Sequence, residues 1–290
     1  MEMKEQQETA CNLLQQLPHI ADIIFDRNNF KDYLDLAVRL DYLEYYNLLL
    51  IYFQFPNAEL VAGQKTWEML YSGEGEALKR NYPTYGMYVV VPCPFENASK
   101  GIYLSFISVK VYDITQTNII YYRPSETIYK PSHSFHLKLL LRAITSYITN
   151  ELHHRVSFEL PKERYRFDLP GRITQHTVTI KETLSVHTQV LWLTEALAFL
   201  YYLHIRDETY SEAFETLYIY SLCYMLLSKW QINHSEIYLP DTKTIRSIPN
   251  EMREEFCKVL QEGYRQIENT IQSLYFYLKF YDSEPFDEDI

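Results

Sequence analysis

The chain has 290 residues, 47% of them hydrophobic and 22% charged, with seven glycines and twelve prolines; this is ordinary globular usage, argues against a collagen-like or wholly disordered chain, and fits about two domains. The formal charge of −11 argues against a protein that holds nucleic acid by bulk positive potential, because phosphate binding draws on Lys and Arg. Four cysteines, Cys11, Cys93, Cys223 and Cys257, form no C-x-x-C pair, so neither a thiolate zinc cage nor a disulfide framework is predicted, and a reducing cytoplasm is the expected location.

The opening "MEMKEQQETACNLLQQLPHI" is polar and acidic, unlike a basic and then apolar leader. No apolar run approaches the roughly 18 residues of a membrane span, so no membrane association is predicted. From Phe30 to Gln54, Tyr33, Leu36, Leu40, Leu43, Asn47, Leu50 and Gln54 recur at spacings of three and four, which predicts one face of a long helix ended by Pro56. A short helix is predicted over Gly63 to Tyr71, before the turn-like "SGEGE". "MYVVVP" (87–92) and "GIYLSFISVKVYDI" (101–114) read as strands joined by a loop, "CPFENASK".

The proline-bearing segment "NIIYYRPSETIYKPSH" places a linker at 121–132. Beyond it we expect a helix from about Ser134 to Glu151 and strands around "RVSFEL", "RYRFDL" and "HTVTI". Helices follow at about 185 to 205 and 209 to 230, and a last one from about Asn250 to Tyr281. The tail "DSEPFDEDI" (282–290) carries five acidic residues and no basic one, as a solvated end does. The predicted class is α+β, with N-terminal helices and a small antiparallel sheet (1–120), then a mostly helical domain with a short sheet (133–281).

Asn47 and Gln54 stand seven apart on a stripe of leucines, a costly place for amides unless they find partners. They either bond to backbone and shape the loop that follows, or help that loop present Lys65, Trp67 and Tyr71 to an unpaired base and its phosphate. The run "YYNLLLIYFQFPNAELVAGQKTW" (45–67), followed by "VYDITQT" (111–117), resembles the N-terminal domain of ArdC-type antirestriction proteins and of the LtrC-like proteins of conjugative elements. Asn47, Gln54, Pro56, Val61, Ala62, Gly63 and Trp67 match that family's Asn, Q-x-P and V-A-G-x-x-x-W pattern, and Asp113, Gln116 and Thr117 match its D-I-x-Q-T signature.

The resemblance implies a single-stranded DNA-binding module. Its candidate DNA contacts are Asn47, Gln54, Lys65, Trp67, Tyr71, Lys79, Arg80 and Tyr85, and its structural signature is Pro56, Gly63, Asp113, Gln116 and Thr117. The basic turn usual after the Trp is replaced by "LYSGEGEALKRNYPTYG", and acidic side chains outnumber basic ones over residues 1–118. Binding is therefore expected to lean on stacking, at about 1 to 3 kcal/mol per base.

A second candidate is "LWLTEALAFLYYLH" (191–204). In the resembled family the C-terminal domain is zincin-like, with His-Glu-x-x-His on a helix, so that two imidazoles four apart face one zinc and the Glu activates its water. Here the window runs from Thr194 through Glu195 to Ala198, and both imidazoles are missing. "SEAFETLYIYSLCYML" resembles the helix that supplies a third, carboxylate ligand, with Glu212 or Glu215 in that place. Thr194, Glu195, Ala198, Glu212 and Glu215 are thus vestigial positions of a degenerate zincin-like domain, with no metal, no cofactor and no catalytic residue expected.

Neither a glycine-rich phosphate loop nor a G-x-S-x-G elbow occurs. The expected function is a non-catalytic accessory protein of a mobile genetic element, binding single-stranded DNA or DNA-processing machinery in transfer or antirestriction. One alternative is an acidic module that imitates DNA and engages a basic restriction, relaxation or partition protein. The other is a residual metallopeptidase.

Overall fold

The computed structural model describes residues 3–26, 29–71, 76–79, 85–97, 101–119, 134–159, 171–233 and 240–281. The chain is α+β and forms two compact units, Met1–Ser125 with Asp241–Gln261, and Glu126–Pro240 with Glu262–Ile290. Among the described residues no helix is long and apolar enough to cross a membrane. The predicted linker at 121–132, the strand at "RYRFDL" and the acidic tail lie outside the described residues.

The first unit opens with α1 (Met3–Leu14) and α2 (Leu17–Asp26), which the sequence reading did not separate from the chain's polar opening, and continues with α3 (Phe30–Arg39) and α4 (Tyr45–Gln54). The single helix predicted from Phe30 to Gln54 is corrected to these two, broken at residues 40–44. The apolar spacing stays in phase across the break, which hides it from a periodicity count. The break is held by side chains that bond to the loop beyond α4. The Arg39 guanidinium donates to the carbonyls of Ala58 and Pro56 (3.1 and 3.2 Å), and the Tyr42 hydroxyl exchanges hydrogen bonds with the backbone of Val61.

After α4 come β1 (Val61–Gly63), α5 (Gln64–Leu70), β2 (Met87–Asn97) and β3 (Gly101–Asp113), which make an antiparallel sheet in the order β1-β3-β2. The loop expected over 93–100 is corrected at its start, because β2 continues through Asn97 despite Pro92 and Pro94. Strand geometry explains why they are tolerated. β2 is an edge strand, and the backbone groups of Tyr88 and Val90 point away from β3; Pro92 and Pro94 continue that alternation, so each lacks only an N–H that would face the open edge.

α1 packs on β3, and a 3-10 turn (Ile114–Gln116) closes the strand. The short α9 (Thr242–Arg246) is capped by Asp241, whose carboxylate accepts from the Thr244 N–H at 2.8 Å. The first turns of α10 (Asn250–Tyr281) bring Phe256 into edge-on contact with Phe25 at 5.7 Å, and Arg253 over the Phe25 ring and onto Asp22 at 3.3 Å.

The second unit consists of α6 (Ser134–Asn150), β4 (Arg155–Glu159), β5 (Gly171–Ile173), β6 (Thr177–Lys181), α7 (Val186–Ile205), α8 (Glu212–Lys229) and the rest of α10. Its sheet is mixed, in the order β4-β6-β5, with β4 parallel and β5 antiparallel to β6. Ser185 and Ser211 cap α7 and α8 by accepting from the N–H three residues on. α7 and α8 are apolar around most of their circumference and lie in the core. From Glu262 onward α10 is tied to them by polar bonds: Trp230 Nε1 donates to Glu268 at 2.6 Å and the Tyr201 hydroxyl to Gln266 at 2.8 Å.

Candidate functional site

Asn47 and Gln54 face β2, the free edge of the first sheet. The Asn47 amide donates to the Val90 carbonyl at 2.9 Å and accepts from the Val90 N–H at 2.8 Å; Gln54 does the same with Tyr88 at 2.9 and 2.8 Å. Two amides two turns apart on a helix thus do for two alternate strand residues what a neighbouring strand would do, and occupy the first part of that edge. Asn47 is buried by this pairing, which corrects the expectation that it meets DNA, whereas Gln54 stays exposed; the partner of both amides is β2 and not the loop following the helix.

Trp67 is corrected in the same way. It is 1% exposed, its Nε1 donates to the Tyr112 carbonyl at 3.0 Å, and it packs with Ala77, Leu78, Tyr112 and Ile114. No face of the ring is open to a base. Tyr71 packs half-buried against the same cluster.

Asp113 is fully buried and accepts from the backbone of Glu59 (2.6 Å), Leu60 (3.0 Å) and Thr115 (2.9 Å), and from the Thr115 hydroxyl. Gln116 answers it, since its side-chain oxygen accepts from the Asp113 N–H at 2.8 Å; together they form a capping box on the 3-10 turn. The Thr117 hydroxyl donates to the Ile114 carbonyl at 2.8 Å, and the Pro56 carbonyl receives Arg39. Gly63 has extended backbone, and an added Cβ would meet nothing within 4 Å, so neither space nor conformation demands glycine there.

The remaining candidates sit nearer solvent. Gln116 Nε2 donates to the Tyr85 carbonyl at 3.3 Å and Lys79 Nζ to the Thr115 carbonyl at 2.7 Å, so the same 3-10 turn anchors both residues; Tyr85 is 73% exposed. Lys65 is exposed on the first turn of α5, directly after β1, whose Gly63 pairs with Val111 near the end of β3. Arg80 lies outside the described residues. The sequence reading missed Tyr103, which is stacked on Phe95 at 6.0 Å, and the 75% exposed Leu104.

In the second unit, Thr194 is fully buried with its hydroxyl donating to the Val190 carbonyl at 2.8 Å, and Ala198 is fully buried too. Glu195 points the other way. With Trp192 and Phe199 on the same face of α7, it lines a cavity of about 680 Å³. α8 contributes Glu215 and Tyr220 to the opposite wall, and β5 contributes Gly171 and Arg172. Glu212 is exposed in the first turn of α8, where a carboxylate complements the helix dipole, and does not line the cavity.

Although Glu195 keeps an open side, burial raises its carboxyl above the ordinary value. Gly171 sets the shape of the strand wall. A Cβ there would collide with the Thr179 carbonyl and stand 2.6 Å from the Trp192 indole, so only glycine lets that ring lie against β5. A catalytic zinc keeps three protein ligands. This donor set does not fit one: the Thr194 oxygen is committed to backbone, Ala198 has no donor atom, and two carboxylates remain. Among the described residues no three His, Cys, Asp or Glu side chains are grouped to hold a metal ion.

No family model and no curated protein matches the chain. Among solved structures, the chain is similar to the Mn(II)-bound antirestriction protein ArdC from plasmid R388, with a TM-score of 0.50 and 13% identity over 89% of this chain and 97% of that one. The metal-free structure of the same protein gives a TM-score of 0.48 and 13% identity over 90% of this chain and 97% of that one. At this identity the likeness to the first structure shows the fold: the chain has an ArdC-like α+β fold.

Proposed function

We propose that this protein is a non-catalytic accessory protein of a mobile genetic element, acting in antirestriction by engaging single-stranded DNA or the machinery that acts on it. The observation that carries this reading is the fold likeness, nearly end to end, to a protein whose role is antirestriction. The first unit supplies a surface suited to it. Tyr85 is an open ring, Lys79 is held beside it by the same 3-10 turn, and Lys65 follows β1 at the same end of β3.

With the chain at −11, such a surface binds by stacking on a few local cations rather than by bulk attraction. The second unit is read as a scaffold that binds without cutting, because Glu195 lacks the imidazole neighbours that would place a metal-bound water beside it. Zinc or manganese bound stoichiometrically after exhaustive dialysis, with peptide hydrolysis, would restore the metallopeptidase alternative.

Fluorescence anisotropy of a labelled single-stranded oligonucleotide at low salt tests the DNA half. Saturable binding is expected, with Tyr85→Ala weakening it by about 1 to 3 kcal/mol and Lys79→Ala lowering the salt slope by about one. Absence of binding at tens of micromolar protein removes DNA as the ligand. It leaves a basic restriction, relaxation or partition protein, the partner class that the net negative charge favours.

A further inference from the structure

The cavity between α7, α8 and β5 is lined by three charged side chains. Glu195 and Glu215 on the helices and Arg172 on the strand all line it, and none makes a side-chain hydrogen bond or ion pair with a described residue. Arg172 and Glu195 stay open to solvent and Glu215 is half-buried, so all three can meet a ligand that enters the recess. The other lining groups are largely apolar or aromatic, with Trp192, Phe199 and Tyr220 offering ring faces. A volume of about 680 Å³ falls within the roughly 300 to 1,000 Å³ of small-molecule sites, where a few convergent polar groups sit among apolar walls.

Two carboxylates facing one guanidinium leave the recess with a net negative charge, and the opposite signs sit on different walls. An ammonium or guanidinium head would meet the glutamates and, flanked by the rings, gain cation–π attraction. Arg172 would meet an oxygen at the other end of the same ligand, since a guanidinium has donors only and a carboxylate or carbonyl is its natural complement. The donor set that fails a metal therefore suits an organic ampholyte.

We propose that this cavity binds a basic amino acid, free or as a residue of a polypeptide, with its cationic head between Glu195 and Glu215 and its carboxylate or carbonyl on Arg172. The site goes beyond the DNA-linked reading and does not depend on it, because it uses no residue of the first unit.

Isothermal titration of the full-length protein at low salt tests the proposal with three probes: Nα-acetylarginine, an end-blocked pentaglycine with a central arginine, and n-butylguanidinium, which has the cation but no oxygen. Saturable binding of the first or second is expected, with n-butylguanidinium weaker by about tenfold, the equivalent of about 1.4 kcal/mol. Preference for acetylarginine identifies a free amino acid as the source, and preference for the peptide identifies a polypeptide. The double variant Glu195→Gln, Glu215→Gln should lose at least about tenfold in affinity while its circular dichroism and Tm stay near the parent's, because both side chains reach solvent.

Quenching of indole fluorescence by the same probes, lost in Trp192→Phe, provides a readout that does not require the double variant to fold. The proposal is overturned if no probe binds at millimolar concentration. It is also overturned if the folded double variant binds as tightly as the parent, or if quenching persists without Trp192. Retained oligonucleotide binding in the double variant separates this site from the DNA reading.

Discussion

Asn47 shows how a polar residue on an apolar stripe can be entirely structural. It is buried, and both ends of its amide are matched to the N–H and C=O of Val90. Asn47→Leu fills similar volume but strands both backbone groups, and an unsatisfied buried group costs about 1 to 3 kcal/mol. We expect a loss of about 2 to 4 kcal/mol in urea unfolding. Gln54→Leu should cost less, because Gln54 and its partner lie at an exposed margin where water replaces the amide. Equal losses for the two substitutions would contradict the edge-pairing account. The need of Asn47 for a partner was legible in the sequence, since an amide among leucines must be satisfied. The identity of that partner was not, because Val90 lies 43 residues away and nothing local to either segment encodes their meeting.

Whole elements divide along the same line. α6, α7, α8 and α10 were legible to within a few residues because each carries a long apolar face or an all-round apolar run, and Ser185 and Ser211 mark two of the starts. β1 and β5 were not, since three residues are too few to show an alternation; each exists because a longer neighbour offers it a ladder. β5 depends also on glycine. In Gly171→Ala the new Cβ cannot coexist with the Thr179 carbonyl and the Trp192 ring, so strand or indole must shift. Overpacking of this kind costs about 1 to 3 kcal/mol. The expected result is a lowered Tm with an altered near-ultraviolet tryptophan signal; an unchanged signal and Tm would show that the wall of the cavity is softer than its geometry implies.

Across the whole molecule the abundance of tyrosine becomes a pH dependence. Burial raises Tyr33 and Tyr218 well above the ordinary tyrosine value of 10.0, Tyr52 to about 12, and Cys257 from 9.0 to about 12. Above pH 9 the unfolded chain sheds protons that the folded chain retains, so stability contributed by these groups is complete below their unfolded values and is lost as pH rises toward their folded ones. Urea unfolding at pH 8, 9.5 and 10.5 (about these values) should show a steepening fall; constant stability to the highest pH would mean these groups are open to water.

By itself the sequence determined the α+β class, the long helices and the absence of imidazoles beside Glu195, because each of these follows from residue type or from spacing along a continuous segment. Only the tertiary structure decided that Trp67 is sealed, that Asn47 and Gln54 guard a strand edge, and that Arg172 shares a cavity with Glu195 and Glu215. Those outcomes depend on which distant segments satisfy one another's hydrogen bonds and fill one another's space, and such pairings are settled by packing over the whole unit rather than by any local pattern.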